Sequence, residues 1–312
     1  MRSPPDDPKR ENPEELAFDG VSEGIEALPG RLNRYGKAKN GALDVADYME
    51  SLPEGEARYL PFRKTAQRLR QCGDYLVFRH YYTVDRVRLH GANLCGKHLL
   101  CCLCAIRRGA KYLKAYLVRF EVLLQQNPNL KAYLVTLTVK DGPDLAERYK
   151  HLHDSQRELW KRKSRGRGSC LDGVSAAVWS YEVKTGAGSG LWHPHLHMIA
   201  LAESPPDVVQ LAAEWQNITG DSFIVDVRPI SQEDPASGFI EVFKYAVKFS
   251  EQEPSETVHA WATLAGKRLI GSAGLFRGVE VPESLLDDPA DFEDLPYVTL
   301  FYRYLRGAGY SL

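Results

Sequence analysis

The chain has 312 residues, 44% of them hydrophobic, with 40 Lys and Arg against 41 Asp and Glu and a formal net charge of -1. That supplies a core for one large domain or two modest ones. No run approaches the roughly 18 apolar residues of a spanning helix, and the N-terminus MRSPPDDPKRENPEE carries no secretory core, so the chain reads as a cytoplasmic protein, and nothing about its size forbids an enzyme.

The net charge conceals an uneven distribution. Residues 61–120 carry thirteen Lys and Arg against Asp74 and Asp85, a local net of +11. A second burst, Lys161-Arg162-Lys163-Ser164-Arg165-Gly166-Arg167, contains no acid, while the first and last sixty residues are acid-rich. Such segments suit neutralisation of phosphates.

In chain order, residues 1–55 mix Pro, Gly and acids without a sustained period and read as a flexible leader. Ile106, Tyr112, Leu113, Tyr116, Leu117 and Phe120 fall at helical intervals over Ala105–Gln126, stopped by Asn127-Pro128. LKAYLVTLTVKDG reads as a strand, Leu145–Lys163 as a helix, and residues 174–186 as a second strand. A glycine-rich turn joins that strand to HPHLHMIALAE in an antiparallel hairpin. Pro205-Pro206 opens a helix to about Asn217, SFIVDVRPI is a fourth strand, and Ser237–Phe249 a further helix. This order predicts an α+β fold, an antiparallel ferredoxin-like sheet with helices on one face. Beyond residue 250 the readable features are a helix over His259–Lys267 and an acidic stretch, Glu283–Asp294. The expected units are a leader (1–55), a Cys-rich basic module (60–127), a catalytic domain (128–250) and a C-terminal extension of unassigned role (251–312).

Residues two apart in a strand share a face, so His195 and His197 present two imidazoles together while Leu196 and Met198 turn inward. Two imidazoles do not close a metal shell. Glu182 on the partner strand is the first candidate for a third ligand and His193 the second. Such a centre leaves positions for water and a phosphate oxygen, as a Lewis-acid role requires. In EVFKYAVKF, Glu241 and Tyr245 stand at i and i+4 with Lys248 on the same helix face. A phenol with a pKa of about 10 becomes a nucleophile where a metal or an ammonium favours the phenolate. Glu241 could then act as a general base on water.

Five of six cysteines lie between Cys72 and Cys104, which in a reducing compartment argues for metal over disulfides. Cys72, Cys95, Cys101 and Cys104 suit a structural Zn²⁺, with Cys102 and His98 as competing ligands, Cys170 outside, and a possible hairpin in the insert between Cys72 and Cys95. Arg107, Arg108 and Lys111 on the helix leaving this cluster, and Lys161, Arg162 and Lys163, are the candidate DNA contacts.

YLVTLTVKD, WHPHLHMIAL and EVFKYAVK occur in an order that resembles the rolling-circle replication initiators of small bacterial plasmids, the single-tyrosine Rep branch of the HUH endonucleases, over roughly residues 70–250. CGDYL and CLCAIRR also resemble Cys-rich sequence that precedes the first motif in that branch. The resemblance implies His195 and His197 as ligands of Mn²⁺ or Mg²⁺, Tyr245 as nucleophile, Glu241 as termination base, and Lys248 as a phosphate or tyrosine partner. It implies nicking and rejoining of plasmid double-strand origin DNA as a single strand through a 5′-phosphotyrosine, with host helicase and polymerase as partners. The rivals are a single-strand transposase or mobilisation relaxase with the same chemistry, and a non-catalytic zinc-containing DNA-binding regulator. No G-x-x-x-x-G-K-[ST] loop of a helicase is present.

Overall fold

The structure, a computed structural model, describes residues 24–53, 62–166, 168–186, 188–244, 252–288, 292 and 294–312. It has the α+β class expected: helices and two antiparallel sheets, each over its own apolar cluster.

The first sheet joins the two ends of the chain. Strands β1 (Tyr75–Tyr81) and β2 (Arg86–Ala92) form the hairpin between Cys72 and Cys95, and β8 (Val298–Leu305) and β9 (Gly309–Ser311) extend it in the order β2-β1-β8-β9. Leu76, Phe78, Val87 and Leu89 face a core shared with α1 (Leu28–Ser51), α2 (Phe62–Gln71) and the start of α3 (Cys102–Gln126). The leader expected over residues 1–55 is thus corrected for its second half, which is a 24-residue helix. Its buried stripe, Leu28, Tyr35, Ala38, Ala42, Val45, Ala46 and Met49, has helical spacing but is largely small residues, so the sequence carries a weak apolar signal there. Residues 1–23 lie outside the described residues.

The second sheet holds β3 (Lys131–Thr138), β4 (Ala176–Thr185), β5 (Trp192–Ala202), β6 (Val225–Pro229) and β7 (Ile270–Gly274) in the order β6-β3-β5-β4-β7, with every pair antiparallel. The helices start where side chains satisfy free backbone N–H groups. Asp144 accepts from Glu147 N at 3.1 Å to open α4 (Leu145–Ser164), and Asp207 from Val209 N and Gln210 N to open α5 (Val208–Thr219), which ends at Gly220 with φ of 73°. Asp234 caps α6 (Pro235–Phe243), and α7 (Pro254–Leu264) leads into β7.

Helices cover both faces of this sheet, not one. Tyr181 and Trp179 meet α4 through Gln156, Tyr149 and Trp160. On the opposite face, Tyr116 of α3 bonds Ser272, whose partner in β4 is Val178, and α3 packs against α6. A pleated sheet flanked by sequence on both sides has two apolar faces to bury, and the long α3 covers the second. The unit expected over 251–312 is likewise divided: β7 borders the second sheet, whereas β8 and β9 complete the first. No helix among the described residues is long and apolar enough to cross a membrane.

Candidate active site

Strands β5, β4 and β3 bring the histidines and a carboxylate together by register. Glu182 pairs with His195 and Ser180 with His197 on one side of β5, and Thr138 and Thr136 pair with the same histidines on the other. Glu182 is fully buried, and its Oε1 and Oε2 lie 3.3 Å from His195 Nε2 and 3.4 Å from His197 Nε2. Each ring is held from its far side: His197 Nδ1 is 3.1 Å from Thr136 Oγ1 and His195 Nδ1 donates to the His193 carbonyl at 3.4 Å. A carbonyl only accepts, so the contact at His195 Nδ1 uses that nitrogen's proton, and Nε2 is the nitrogen turned toward Glu182 and open to a metal ion. A ring nitrogen facing a carboxylate suits a cation between them. Ligands of one divalent ion at bonds of about 2.1 Å lie about 3.0–3.4 Å apart, which these separations fit. The second candidate, His193, is drawn away: its Nδ1 is 2.5 Å from Asp141 Oδ1, and it lies outside the group.

Glu241 stands on the last turn of α6, partly exposed, with Lys244 Nζ 2.6 Å from its Oε1. The helix expected to Phe249 is described only to Phe243. Tyr245 and Lys248 lie outside the described residues. Phe243, two residues before Tyr245, is buried between Tyr112 and Tyr116 of α3, with ring centroids 5.7 and 5.2 Å away, which anchors the helix leading to the tyrosine.

The sulfurs of Cys72, Cys95, Cys101 and Cys104 gather within 4.8 Å of one another, all buried, at the start of α3 beneath the β1–β2 hairpin. The Cys72–Cys104, Cys72–Cys101 and Cys95–Cys104 separations are 3.5, 3.5 and 3.6 Å. A tetrahedral ZnS₄ shell with bonds of about 2.3 Å sets sulfurs about 3.8 Å apart, so the four thiols fit that ion. Cys102 points elsewhere, with its Sγ against Gly41 of α1, and His98 is outside the group. Sharing protons among four close, buried thiols drives them apart, Cys95 downward and Cys101 and Cys104 upward; a metal ion would take the place of those protons. Burial raises Cys170, which lies apart beside Glu214.

The basic residues separate into three situations. Arg107 is corrected as a surface contact: it is 1% exposed, its Nε donates to Leu285 O at 2.8 Å, its Nη1 to Tyr35 Oη at 3.2 Å, and it pairs with Asp287. Burial alone would raise the Asp287 pKa, but Arg107 and Arg31 hold that carboxyl well below the ordinary range. Arg108 remains at the surface over the Tyr112 ring at 4.8 Å, and Lys111 is half-buried. Lys161, Arg162 and Lys163 end α4, on the sheet face opposite His195 and His197; there Arg162 donates to Asn217 and Lys163 to the Leu171 and Asp172 carbonyls. Thr136, which orients His197, was not singled out in the sequence, although the alternation of YLVTLTVK puts both threonines on the histidine face.

Fold and clusters together define an α+β protein with two groups of residues suited to metal ions, one all-thiol and closed, the other Glu-His-His on a sheet. The family model described as "Replication protein" matches residues 86–298, more than half of the chain, and the chain belongs to that family. It is 25% identical over 292 residues, 86% of each chain, to "Protein rep" of Streptococcus pneumoniae serotype 2 (strain D39 / NCTC 7466). The resemblance to plasmid replication initiators read from the motifs therefore holds. No solved structure matches the chain.

Proposed function

We propose that this chain nicks and rejoins one strand of plasmid origin DNA through a 5′-phosphotyrosine on Tyr245, and so initiates and terminates rolling-circle replication. The observation that carries the proposal is the convergence of the Glu182 carboxylate with His195 Nε2 and His197 Nε2 at 3.3 and 3.4 Å, in a chain of the replication protein family. The run β3-α4-β4-β5-α5-β6, with β6-β3-β5-β4 as spatial neighbours, supports a ferredoxin-like, HUH-type reading of the catalytic sheet. The Cys-rich hairpin and the start of α3 are the zinc-supported module that accompanies it.

Glu182, His195 and His197 would hold Mn²⁺ or Mg²⁺, which when bound polarises a phosphate oxygen and offsets charge building at phosphorus. The Tyr245 oxygen attacks phosphorus and gives up its proton, the bond from phosphorus to the 3′ oxygen breaks, and that oxygen takes up a proton as a free 3′-hydroxyl. The phosphoester is conserved as the tyrosyl ester, so the strand can later be rejoined. Lys248 favours the phenolate or holds the phosphate. At termination, Glu241 draws a proton from the water that attacks the tyrosyl phosphate. Host helicase and polymerase would use the free end.

The test incubates wild type and Tyr245→Phe with end-labelled single strands from the replicon, in Mn²⁺ or EDTA. A covalent band that requires metal, follows the label on the DNA 3′ of the cut and is absent in Tyr245→Phe is the expected result. Binding without any adduct would replace the nickase by the zinc-containing regulator.

A further inference from the structure

Between α3 and the edge strand β7 lies a cleft of about 440 Å³ on the histidine-bearing face, within the usual size for a small-ligand site. Arg108, Arg268 and His98 line it, and among the described residues no carboxylate does; Lys267 borders it, but its ammonium lies 5.6 Å over the Tyr149 ring, on the other face of the sheet. In a chain of net charge -1, two guanidinium groups at one cavity select an anion.

The strand register ties this cleft to the Glu-His-His cluster. Ile270 pairs with Ser180, and the ladder continues one step through Tyr181 N donating to Leu269 O at 2.9 Å. The next residues along, Arg268 and Glu182, therefore fall opposite one another, and both share the face of Ser180 and Ile270 because parity repeats every two residues. Adjacent strands are about 4.8 Å apart and residues rise about 3.3 Å each, so Ile270 in the cleft floor is about 8 Å from the Glu182 backbone. The Arg268 guanidinium folds back along the cleft, with its Nε donating to Ile270 O at 3.0 Å. The opposite wall is Tyr112, which carries Arg108 at 4.8 Å and stacks on Phe243 of α6. The cleft thus adjoins both the carboxylate of the cluster and the helix that leads to Tyr245.

We infer that this cleft is the subsite for the nucleotide next to the scissile phosphate, with Arg268 on its phosphate and the Arg108 guanidinium against its base. Planar guanidinium groups stack on unpaired bases, whose faces a duplex hides, so the ligand is a single strand, which on the nicking reading is DNA. The inference rests on the nicking reading and names where the strand runs. Arg268 is a binding residue of the cleft, and neither motif spacing nor charge runs mark it.

The test measures fluorescence anisotropy of a labelled dT oligonucleotide with the full chain in EDTA, across a salt series. Arg268→Gln and Arg108→Gln should each weaken binding about tenfold, the loss of one charge-assisted contact. Arg268→Gln should also flatten the log-log salt dependence by about 0.7, one phosphate contact on a single strand, and Arg268→Lys should restore that slope. Arg108→Gln gives a second reading should Arg268→Gln melt early, and Lys267→Gln, whose charge lies on the other face, should leave dT affinity nearly unchanged. Unchanged dT affinity in folded Arg268→Gln and Arg108→Gln overturns the inference. So does loss of inorganic phosphate or dTMP binding in the variants with dT affinity intact, which would make the cleft a free-nucleotide site, or equal losses for a duplex. Binding in EDTA needs neither the ion nor Tyr245, so failure of the nicking reading shows separately, as dT binding that never yields an adduct.

Discussion

The two metal-suited clusters are built in opposite ways. The cysteines come from three places, Cys72 after α2, Cys95 after β2, and Cys101 and Cys104 at the start of α3, and they meet inside the apolar core of the first sheet. Glu182, His195 and His197 stand on neighbouring central strands whose ladders hold them whether or not an ion is present. One group gathers distant segments and the other sits on a ready-made ladder, a difference that suits the first to a structural ion and the second to an open one.

The largest expected effect breaks the first cluster. Cys104→Ser, or stripping the wild type with a strong chelator, should remove one bound Zn²⁺ and abolish the cooperative melt of the first sheet, because binding energy of about 10 kcal/mol or more is coupled to folding at such sites. Zinc content by atomic emission and thermal unfolding by circular dichroism check this. A variant that melts with wild type and holds no zinc would show that packing alone secures the cysteines.

The same unit depends on an ion pair that ties the chain's end to its start. Asp287 meets Arg107, Arg31 at 3.0 Å and Leu89 N at 2.6 Å, so Asp287→Asn strands buried Arg107 and should cost about 3–5 kcal/mol in urea unfolding. The folded carboxyl has a lowered pKa. Its stabilisation is therefore complete above the unfolded value of about 3.9 and is lost as pH falls below that toward the folded pKa. The wild type should lose stability faster than Asp287→Asn on acidification below about pH 4.

This clasp also shows why the sequence was legible in one half and not in the other. β3 through α5 were readable because each buries a periodic apolar stripe between local stop signals, Asn127-Pro128, Gly186–Gly190 and Pro205-Pro206. The histidine pair followed from strand parity alone. The first sheet depends on contacts far apart in the chain, Tyr75 with Arg303 and Arg107 with Asp287, and no local period signals those. Arg107 looked like a surface cation because its neighbours Arg108 and Lys111 are cationic; only the arrival of residues 285–287 buries it. The Ala-rich face of α1 is quiet for the same reason: small residues allow close helix packing without raising the apolar contrast.

Breaking the second cluster should leave the fold standing. Glu182→Gln keeps the side-chain volume and removes a buried charge, so the melting temperature in EDTA should be unchanged or raised. Added Mn²⁺ should raise the wild-type melting temperature by preferential binding to the folded state and leave the variant's where it is. Adduct formation should fall at least about a hundredfold, the scale seen when a charge-stabilising group is lost. A variant that unfolds like Cys104→Ser would erase the contrast between the sites.

The smallest effect concerns the basic burst at the end of α4. Lys163 Nζ donates to Leu171 O at 2.8 Å and Asp172 O at 3.3 Å, and Lys161 lies 3.6 Å from Glu158. Lys163→Ala therefore removes a cation that holds the turn after the helix and favours its negative end, and should cost about 1 kcal/mol in urea unfolding. Lys161→Ala, in an exposed i,i+3 pair, should cost less than about 0.5 kcal/mol. Both residues sit on the face away from His195 and His197, so adduct formation on a short single strand should not respond to either. A tenfold loss in adduct with Lys161→Ala would mean that the strand wraps the sheet edge to reach α4, and the basic burst would return as a DNA contact.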